Sequence, residues 1–229
     1  MKILAIGAHP DDIEIFMYGC LSACKERGDK IVTTVVTDGS AGGVNKGSKL
    51  AHVREQEAIN GLFFFGKPVF LRLKDGELNV NENTQRIINN LIKLEKPDFI
   101  ITHDPCDYHH DHRELSRLVL NGAGFECPVF YADTLMGVNF KPEFFVDITR
   151  FIEYKKKSIL CHTSQNPSKF LEAAILLNRF RAAQCNLPAN NFVETYRTSR
   201  RFPFTDVRGL LPPPPKLRPF YKNNELSMI

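Results

Sequence analysis

Short apolar runs alternate with stretches of helical periodicity along the first 135 residues of the chain. The opening run, KILAIGA at residues 2–8, is apolar throughout, which is typical of a strand buried on both faces of a parallel sheet. Further runs rich in β-branched and aromatic residues predict strands at residues 30–37, 69–73, 99–102 and 129–132, with a less regular one at 144–148.

The segments between the apolar runs predict helices. One example is residues 83–94, where isoleucines and leucines recur at helical spacing. The same pattern predicts helices at residues 15–27, 48–65, 115–120, 151–160 and 169–183. Alternating strands and helices indicate an α/β fold, Rossmann-like and doubly wound, with helices on both faces of a mostly parallel sheet.

The length of 229 residues suits one domain, so we expect a single domain over residues 1–229. From residue 186 onward the chain carries polar turns and then four prolines at 212–215. Because a run of prolines cannot sit in a helix interior or a central strand, we predict a proline-rich extended tail at about residues 205–229. The tail could pack on the body of the chain or on a neighbouring subunit, which leaves a homo-oligomer open.

Composition and charge exclude several classes of protein. The net charge is +4 and the basic residues are scattered, which does not suit a nucleic-acid partner; the run at 155–157 is expected to be a solvated helix face. No apolar stretch approaches the ~20 residues of a membrane span, and no secretory signal precedes the first motif. We therefore expect a cytoplasmic protein whose six cysteines are free thiols.

Two polar segments follow predicted strands. GAHPDD at residues 7–12 comes directly after the first strand, and DYHHDH at residues 107–112 follows the fourth after a short loop. Ligands of open α/β sheets bind beyond the carboxyl ends of the strands, and strands one and four are neighbours in the common order 3-2-1-4-5. We therefore expect both segments to face one crevice.

The side chains in these segments suit a hydrolytic metal site. Zinc in a hydrolase usually has three protein ligands and one open position, and His9, Asp12 and His112 could supply two imidazoles and a carboxylate. Taken singly, the first segment could be a loop with a capped helix, and the second could be a solvated loop. Their joint position at two strand ends favours the metal site.

The remaining polar residues could carry proton transfer. Asp11 could accept a proton from the metal-activated water, and His109 could protonate a leaving amine. Asp111 could hold the His109 ring in the right tautomer, as carboxylates beside a metal site commonly do.

With these motifs the chain resembles the LmbE-like or PIG-L family of zinc-dependent N-acetylglucosaminide deacetylases. The resemblance covers about residues 1–200. It is carried by AHPDD at 8–12 with Glu14, TDG at 37–39, REQE at 54–57, DG at 75–76, HHDH at 109–112, HTSQ at 162–165 and ETY at 194–196.

The resemblance implies removal of an N-acetyl group from an N-acetylglucosamine-type conjugate, a small-molecule substrate, with release of acetate. It implies one Zn²⁺ or other divalent metal per chain, held by the three ligands above, with Asp11 as general base and His109 as acid. It also implies substrate contacts from Arg54 and Asp75, and we add Ser40 of the glycine-rich loop. The alternatives are a nucleotide-sugar binding module without hydrolysis and a zinc hydrolase of another amide.

Some residues depart from the family pattern. His110 stands where the family often has proline, so it could compete with His109. Residues 16–18 (FMY) replace the usual glycines after the first motif, which changes the first helix and not the ligands. His52 and His103 lie outside the pattern and are expected to be structural or surface residues, and His162 is expected to pack near the site.

Overall fold

A seven-stranded sheet forms the centre of the fold in the computed structural model, which describes residues 1–43 and 46–216. The strand order is β3-β2-β1-β4-β5-β7-β6. In chain order the strands are β1 Lys2–Gly7, β2 Lys30–Thr37, β3 Val69–Leu73, β4 Phe99–Thr102, β5 Val129–Ala132, β6 Phe144–Asp147 and β7 Val193–Thr198.

The first five strands are parallel to one another, and β7 runs antiparallel to both of its neighbours, β5 and β6. β1 lies between β2 and β4, which confirms the predicted order at the centre of the sheet. β7 pairs antiparallel with β5 and β6, at a segment where the sequence predicted only polar turns. The prediction was wrong because VETYRT lacks an apolar run: its Glu194 and Thr195 are buried by partners from distant parts of the chain.

Seven helices connect the strands in the described part of the chain. They are α1 Asp12–Phe16, α2 Tyr18–Glu26, α3 Ser48–Gly61, α4 Glu82–Glu95, α5 His110–Ala123, α6 Ile152–Ile159 and α7 Pro167–Gln184. The predicted helix at 15–27 is interrupted at Met17, whose backbone is not helical. The helix predicted at 115–120 starts five residues earlier, so His110 and His112 lie in its first turn and not in a loop.

Each face of the sheet carries its own hydrophobic core. Along β1, Leu4 and Ile6 point to one face while Ile3 and Ala5 point to the other, because side chains alternate along a strand. The first core is closed by apolar residues of α4 and α5, and the second by residues of α1, α2, α6 and α7. Helices on both faces are the doubly wound arrangement that the sequence predicts.

The segment after β7 has little regular structure as far as it is described. It holds one short 3-10 turn at Arg208–Leu210, followed by the prolines at 212–215. The rest of the predicted tail, residues 217–229, lies outside the described residues. Among the described helices, none combines the length and apolar character needed to cross a membrane. All six cysteines are free.

Lys155 is buried, in contrast to the solvated face predicted for residues 155–157. Its side chain is 1% exposed, and Nζ lies 2.7 Å from Oε1 of Glu194. The same carboxylate accepts hydrogen bonds from the backbone N–H groups of Gly19 and Cys20 at the start of α2, and from the Tyr196 hydroxyl. This network ties α6 and α2 to β7.

Replacing Lys155 with methionine should destabilise the fold strongly. The Glu194 carboxylate would stay buried without its counter-charge, which typically costs about 3–5 kcal/mol. Lys157→Met is the matched control: Lys157 is exposed on the same helix, and its loss should change stability by no more than about 0.5 kcal/mol. Chemical denaturation of both variants is the measurement, and equal midpoints would contradict the role of the buried pair.

Candidate metal centre and active site

The first polar segment and the start of α5 meet at the carboxyl ends of β1 and β4. These strands are paired, with Ile3 opposite Phe99 and Ala5 opposite Ile101. The pairing brings side chains about a hundred positions apart into contact: His9 Nδ1 lies 3.2 Å from His112 Nε2.

The three predicted metal ligands form a compact triangle of side chains, in which the two oxygens of Asp12 face different histidines. Asp12 Oδ2 is 3.3 Å from His9 Nδ1, and Asp12 Oδ1 is 3.3 Å from His112 Nε2. In a tetrahedral site with ligands about 2.0–2.1 Å from the metal, the ligand atoms lie about 3.3–3.4 Å from one another. The spacing and the N, N, O donor set therefore fit a divalent metal ion.

Carboxylates lie beside the outer nitrogens of both histidines. His9 Nε2 lies 3.1 Å from Asp111 Oδ2 and 3.2 Å from Asp75 Oδ1, while His112 Nδ1 lies 3.2 Å from Asp107 Oδ2. A carboxylate on one ring nitrogen fixes the tautomer and leaves the other nitrogen for a metal. Sequence reasoning missed Asp107, although it begins the second polar segment.

Asp111 does not contact the His109 ring through its carboxylate. The carboxylate faces His9 and accepts a hydrogen bond from the Gly76 N–H. Only the backbone N–H of Asp111 reaches His109, donating to Nδ1 at 3.2 Å. Asp111 sits in the first turn of α5, where its side chain points toward the loop after β3.

The surrounding charges shift the pKa values of the predicted ligands. Burial disfavours the charged His112 ring, but Asp12 and Asp107 outweigh it and raise its pKa to about 9. Burial likewise opposes ionisation of Asp12, yet His112 and His103 lower its pKa well below the ordinary value. Carboxylates that stabilise a proton on an imidazole also stabilise a cation at the same place, because both effects are Coulombic.

Asp11 has an unusual backbone conformation, with φ 119° and ψ −25°. Residues other than glycine rarely adopt positive φ, and such strain persists only where surrounding contacts enforce it. Arg54 supplies those contacts: Nη2 donates to the Pro10 carbonyl at 2.6 Å and to Asp11 Oδ2 at 3.1 Å, and Nη1 donates to the Gly39 carbonyl.

Burial raises the pKa of Asp11 to about 6, against the opposing charge of Arg54 and with a further contribution from Asp12. A carboxylate with a pKa near neutrality suits general-base catalysis. Arg54 itself is only 4% exposed, and its guanidinium is engaged with protein atoms rather than presented to solvent.

A cleft of about 270 Å³ opens above these residues. It is lined by His9, Asp11, Asp12, Ile15, Phe16, Ala41, Gly42, Arg54, Asp75, Gly76, Tyr108, His109, His112, Leu135, Gln165 and Phe170. Seven of the nine predicted site residues line the cleft, and an eighth, Asp111, contacts His9 through its carboxylate. The ninth, Ser40, is half-buried beside Ala41 and is not part of the lining; its N–H donates to Asp38.

Three further histidines lie in or near the cleft and differ in their surroundings. His109 lines it, and burial together with the neighbouring His9 and His112 lowers the pKa of His109. His110 is exposed and lies outside the lining. His103, expected to be structural or on the surface, is 2% exposed and stacks on His112 at 3.7 Å, with Nε2 3.0 Å from Asp12 Oδ2.

The position of His103 directly after β4 is the sequence signal that could have identified it. His103 follows β4 directly, just as the first polar segment follows β1. His162 lies outside the lining and pairs with the buried Glu14 at 2.7 Å, so it packs behind the site, as expected.

Comparisons with known proteins agree with this architecture. A crystal structure of N,N'-diacetylchitobiose deacetylase from Pyrococcus horikoshii has a TM-score of 0.76 at 24% identity, covering 89% of this chain and 87% of that one. The 4-carboxy-2-hydroxymuconate hydratase from Pseudomonas putida has a TM-score of 0.75 at 19% identity, covering 90% and 99%. At these identities the likeness concerns the fold.

Sequence comparison identifies the family. Diacetylchitobiose deacetylase from Thermococcus kodakarensis is 30% identical over 193 residues, which are 75% of this chain and 72% of that protein. The family model described as PIG-L, GlcNAc-PI de-N-acetylase, matches residues 4–123, a span that includes both polar segments. The chain therefore belongs to the PIG-L family.

Proposed function

We propose that the protein is a zinc-dependent hydrolase that removes the N-acetyl group from an N-acetylglucosamine-type conjugate and releases acetate. The observation that carries the proposal is the donor triangle of His9, Asp12 and His112, with Asp11 beside it in one cleft. Relatives named as deacetylases, including the diacetylchitobiose deacetylase, support the choice of reaction.

Zinc is the metal we propose, with the three triangle residues as its ligands. Two imidazoles, one carboxylate and an open position are typical of catalytic zinc. Zinc bound there would supply a Lewis acid and a water molecule whose pKa falls from about 16 to about 7.

Asp11 is the proposed general base. Its carboxylate lies in the cleft next to Asp12, and Arg54 fixes its direction. With a pKa near 6 it is ionised at neutral pH and accepts the proton that water loses on attack.

His109 is the proposed second proton carrier. Its Nδ1 accepts the Asp111 N–H, so in the neutral ring the proton sits on Nε2. That N–H can donate to the acetamide oxygen as negative charge develops there. Once the ring has taken up the proton that Asp11 removed from water, the imidazolium can release a proton to the departing amine and return to the neutral form. His110 is exposed and lies outside the cleft, which favours His109 for this role.

The alternative functions receive less support than deacetylation. The glycine-rich loop is packed on Arg54: a Cβ at Gly42 would lie 2.5 Å from Arg54 Nη1 and 2.8 Å from Gln165 Oε1. Close packing therefore accounts for that glycine without a bound phosphate, which disfavours a nucleotide-sugar binding module. A hydratase shares the fold, so the architecture does not specify the reaction; the residues of the site support it.

Acetate release should depend on bound metal. The protein as purified should contain about one zinc per chain and release acetate from diacetylchitobiose. Chelation should abolish the activity, and zinc should restore it. Metal analysis and enzymatic acetate determination are the measurements. Undiminished acetate release from metal-free protein would refute the mechanism, and release from simple N-acyl amino acids but no amino sugar would indicate a different amide.

Asp11→Asn and Asp12→Asn form a matched pair of neighbouring carboxylates. Asp11→Asn should keep its zinc and lose about 10²–10⁴-fold in kcat, because a general base is worth about that much. Asp12→Asn should lose zinc affinity as well. Zinc titration beside steady-state kinetics distinguishes the two, and a fully active, zinc-loaded Asp11→Asn would remove Asp11 from the mechanism.

Arg54→Lys tests whether Arg54 acts through Asp11 or on the substrate. A lysine cannot bond Pro10, Asp11 and Gly39 together, and misplacing the base by about 1 Å can cost about a hundredfold in kcat. KM and zinc content should stay near the wild-type values. Arg72→Lys, an exposed arginine paired with Glu55, is the control. A raised KM with unchanged kcat would instead assign Arg54 to substrate binding.

A further inference from the structure

The cleft has two chemically different walls on opposite sides of the metal centre. The ligands follow β1 and β4, the two middle strands of the parallel part of the sheet. The loops after β2 and β3 lie on one side of them, and the loop after β5 lies on the other, next to α7. A substrate that reaches the metal must lie between these walls.

The wall on the β2 and β3 side is polar. Gly42 and Gly76 contribute backbone, and Gln165 lies against Gly42 with an amide. The Asp75 carboxylate also lines this wall, and its oxygens, which already contact His9 and the Ala41 N–H, can accept a further hydrogen bond. Backbone groups, an amide and a carboxylate are suited to sugar hydroxyls, which both donate and accept hydrogen bonds.

The wall on the β5 side is apolar. It consists of Leu135 from the loop after β5, Phe170 from the first turns of α7, and Ile15 from α1. Leu135 and Phe170 pack against the core on one side and are partly exposed on the cleft side. Covering them would remove apolar surface from water, at about 25 cal/mol per Å² in favour of binding. This wall has no role in the proposed chemistry.

The described lining of the cleft offers no free lysine or arginine to an anionic group on the substrate. Arg54 is the only lysine or arginine that lines it among the described residues, and its guanidinium is engaged by Asp11 and two carbonyls. Five aspartates surround the metal centre, at positions 11, 12, 75, 107 and 111. The proposed zinc carries a charge of +2 but lies at the acetamide. A carboxylate or phosphate on the aglycone, held away from the metal, would face these aspartates with no free lysine or arginine in the described lining to pair with it, which disfavours an anionic ligand.

We infer that the substrate is an amino-sugar conjugate whose aglycone is uncharged and apolar and lies against Leu135 and Phe170. The sugar then faces the polar wall, and the acetamide reaches the metal between the two. This inference rests on the proposed deacetylase function and narrows its substrate class. The described lining disfavours aglycones that carry carboxylates or phosphates, such as malyl or nucleotidyl groups.

The test compares the zinc-loaded enzyme on matched N-acetylglucosamine derivatives: the phenyl glycoside, the malyl glycoside and the 1-phosphate. kcat/KM for the phenyl glycoside should exceed that for either anion by about ten- to two-hundredfold, the range that apolar pocket contacts provide. Equal or faster turnover of an anionic derivative overturns the inference and leaves the deacetylase proposal intact. No acetate from any derivative, nor from diacetylchitobiose, overturns the proposed function and the inference with it.

A positive charge placed in the apolar wall should shift the preference from the phenyl glycoside toward the malyl glycoside. Phe170→Lys and Leu135→Lys should each shift the phenyl-to-malyl ratio at least about tenfold toward the malyl glycoside. Phe170→Leu and Leu135→Met are the matched controls and should keep the wild-type preference for the phenyl glycoside. Because both substrates are measured on one preparation, unfolded protein lowers both rates and leaves the ratio unchanged. If both lysine variants give the same phenyl-to-malyl ratio as their controls, the assignment of this wall to the aglycone is overturned.

Discussion

The parallel pairing of β1 with β4 is the constraint on which the site depends. It places the carboxyl ends of two strands side by side, so His9 and His112 meet at 3.2 Å although 103 positions separate them. The two hydrophobic cores hold β1 and β4 from both faces, and the buried Lys155–Glu194 pair ties the second face to β7. Packing thus fixes the positions of the proposed ligand atoms.

Charge is the second organising feature of the site. Five aspartates crowd around two histidines and one arginine, so a divalent cation at the donor triangle would relieve repulsion that the protein alone leaves uncompensated. The same excess of negative charge orients the histidines and, through Asp12, adds to the effect of burial in raising the pKa of Asp11, the proposed base. The same five aspartates therefore enter the proposals for metal binding, catalysis and substrate selectivity.

The conformation of Asp11 shows how the fold supports an unfavourable local structure. A positive φ in a buried aspartate is costly, and Arg54 holds it by bonding the carbonyl before it and the carboxylate itself. The glycine-rich loop packs on the same guanidinium, which requires Gly42 to lack a side chain. Arg54 thus connects the loops after β1 and β2 at the wall of the cleft.

The sequence by itself determined the α/β fold, the order of the five parallel strands and the two segments that carry the donor atoms, because buried strands and ligand motifs are local patterns. It also determined the family, through motifs spread over the chain. Only the tertiary structure showed that β7 is a strand, that Lys155 is buried, and that His103 and Asp107 contact the ligands. Those facts depend on partners far away in the sequence. The side chain that orients His9 was likewise decided in three dimensions: Asp111 turns toward the loop after β3, a direction that helix α5 sets and that spacing along the chain cannot reveal.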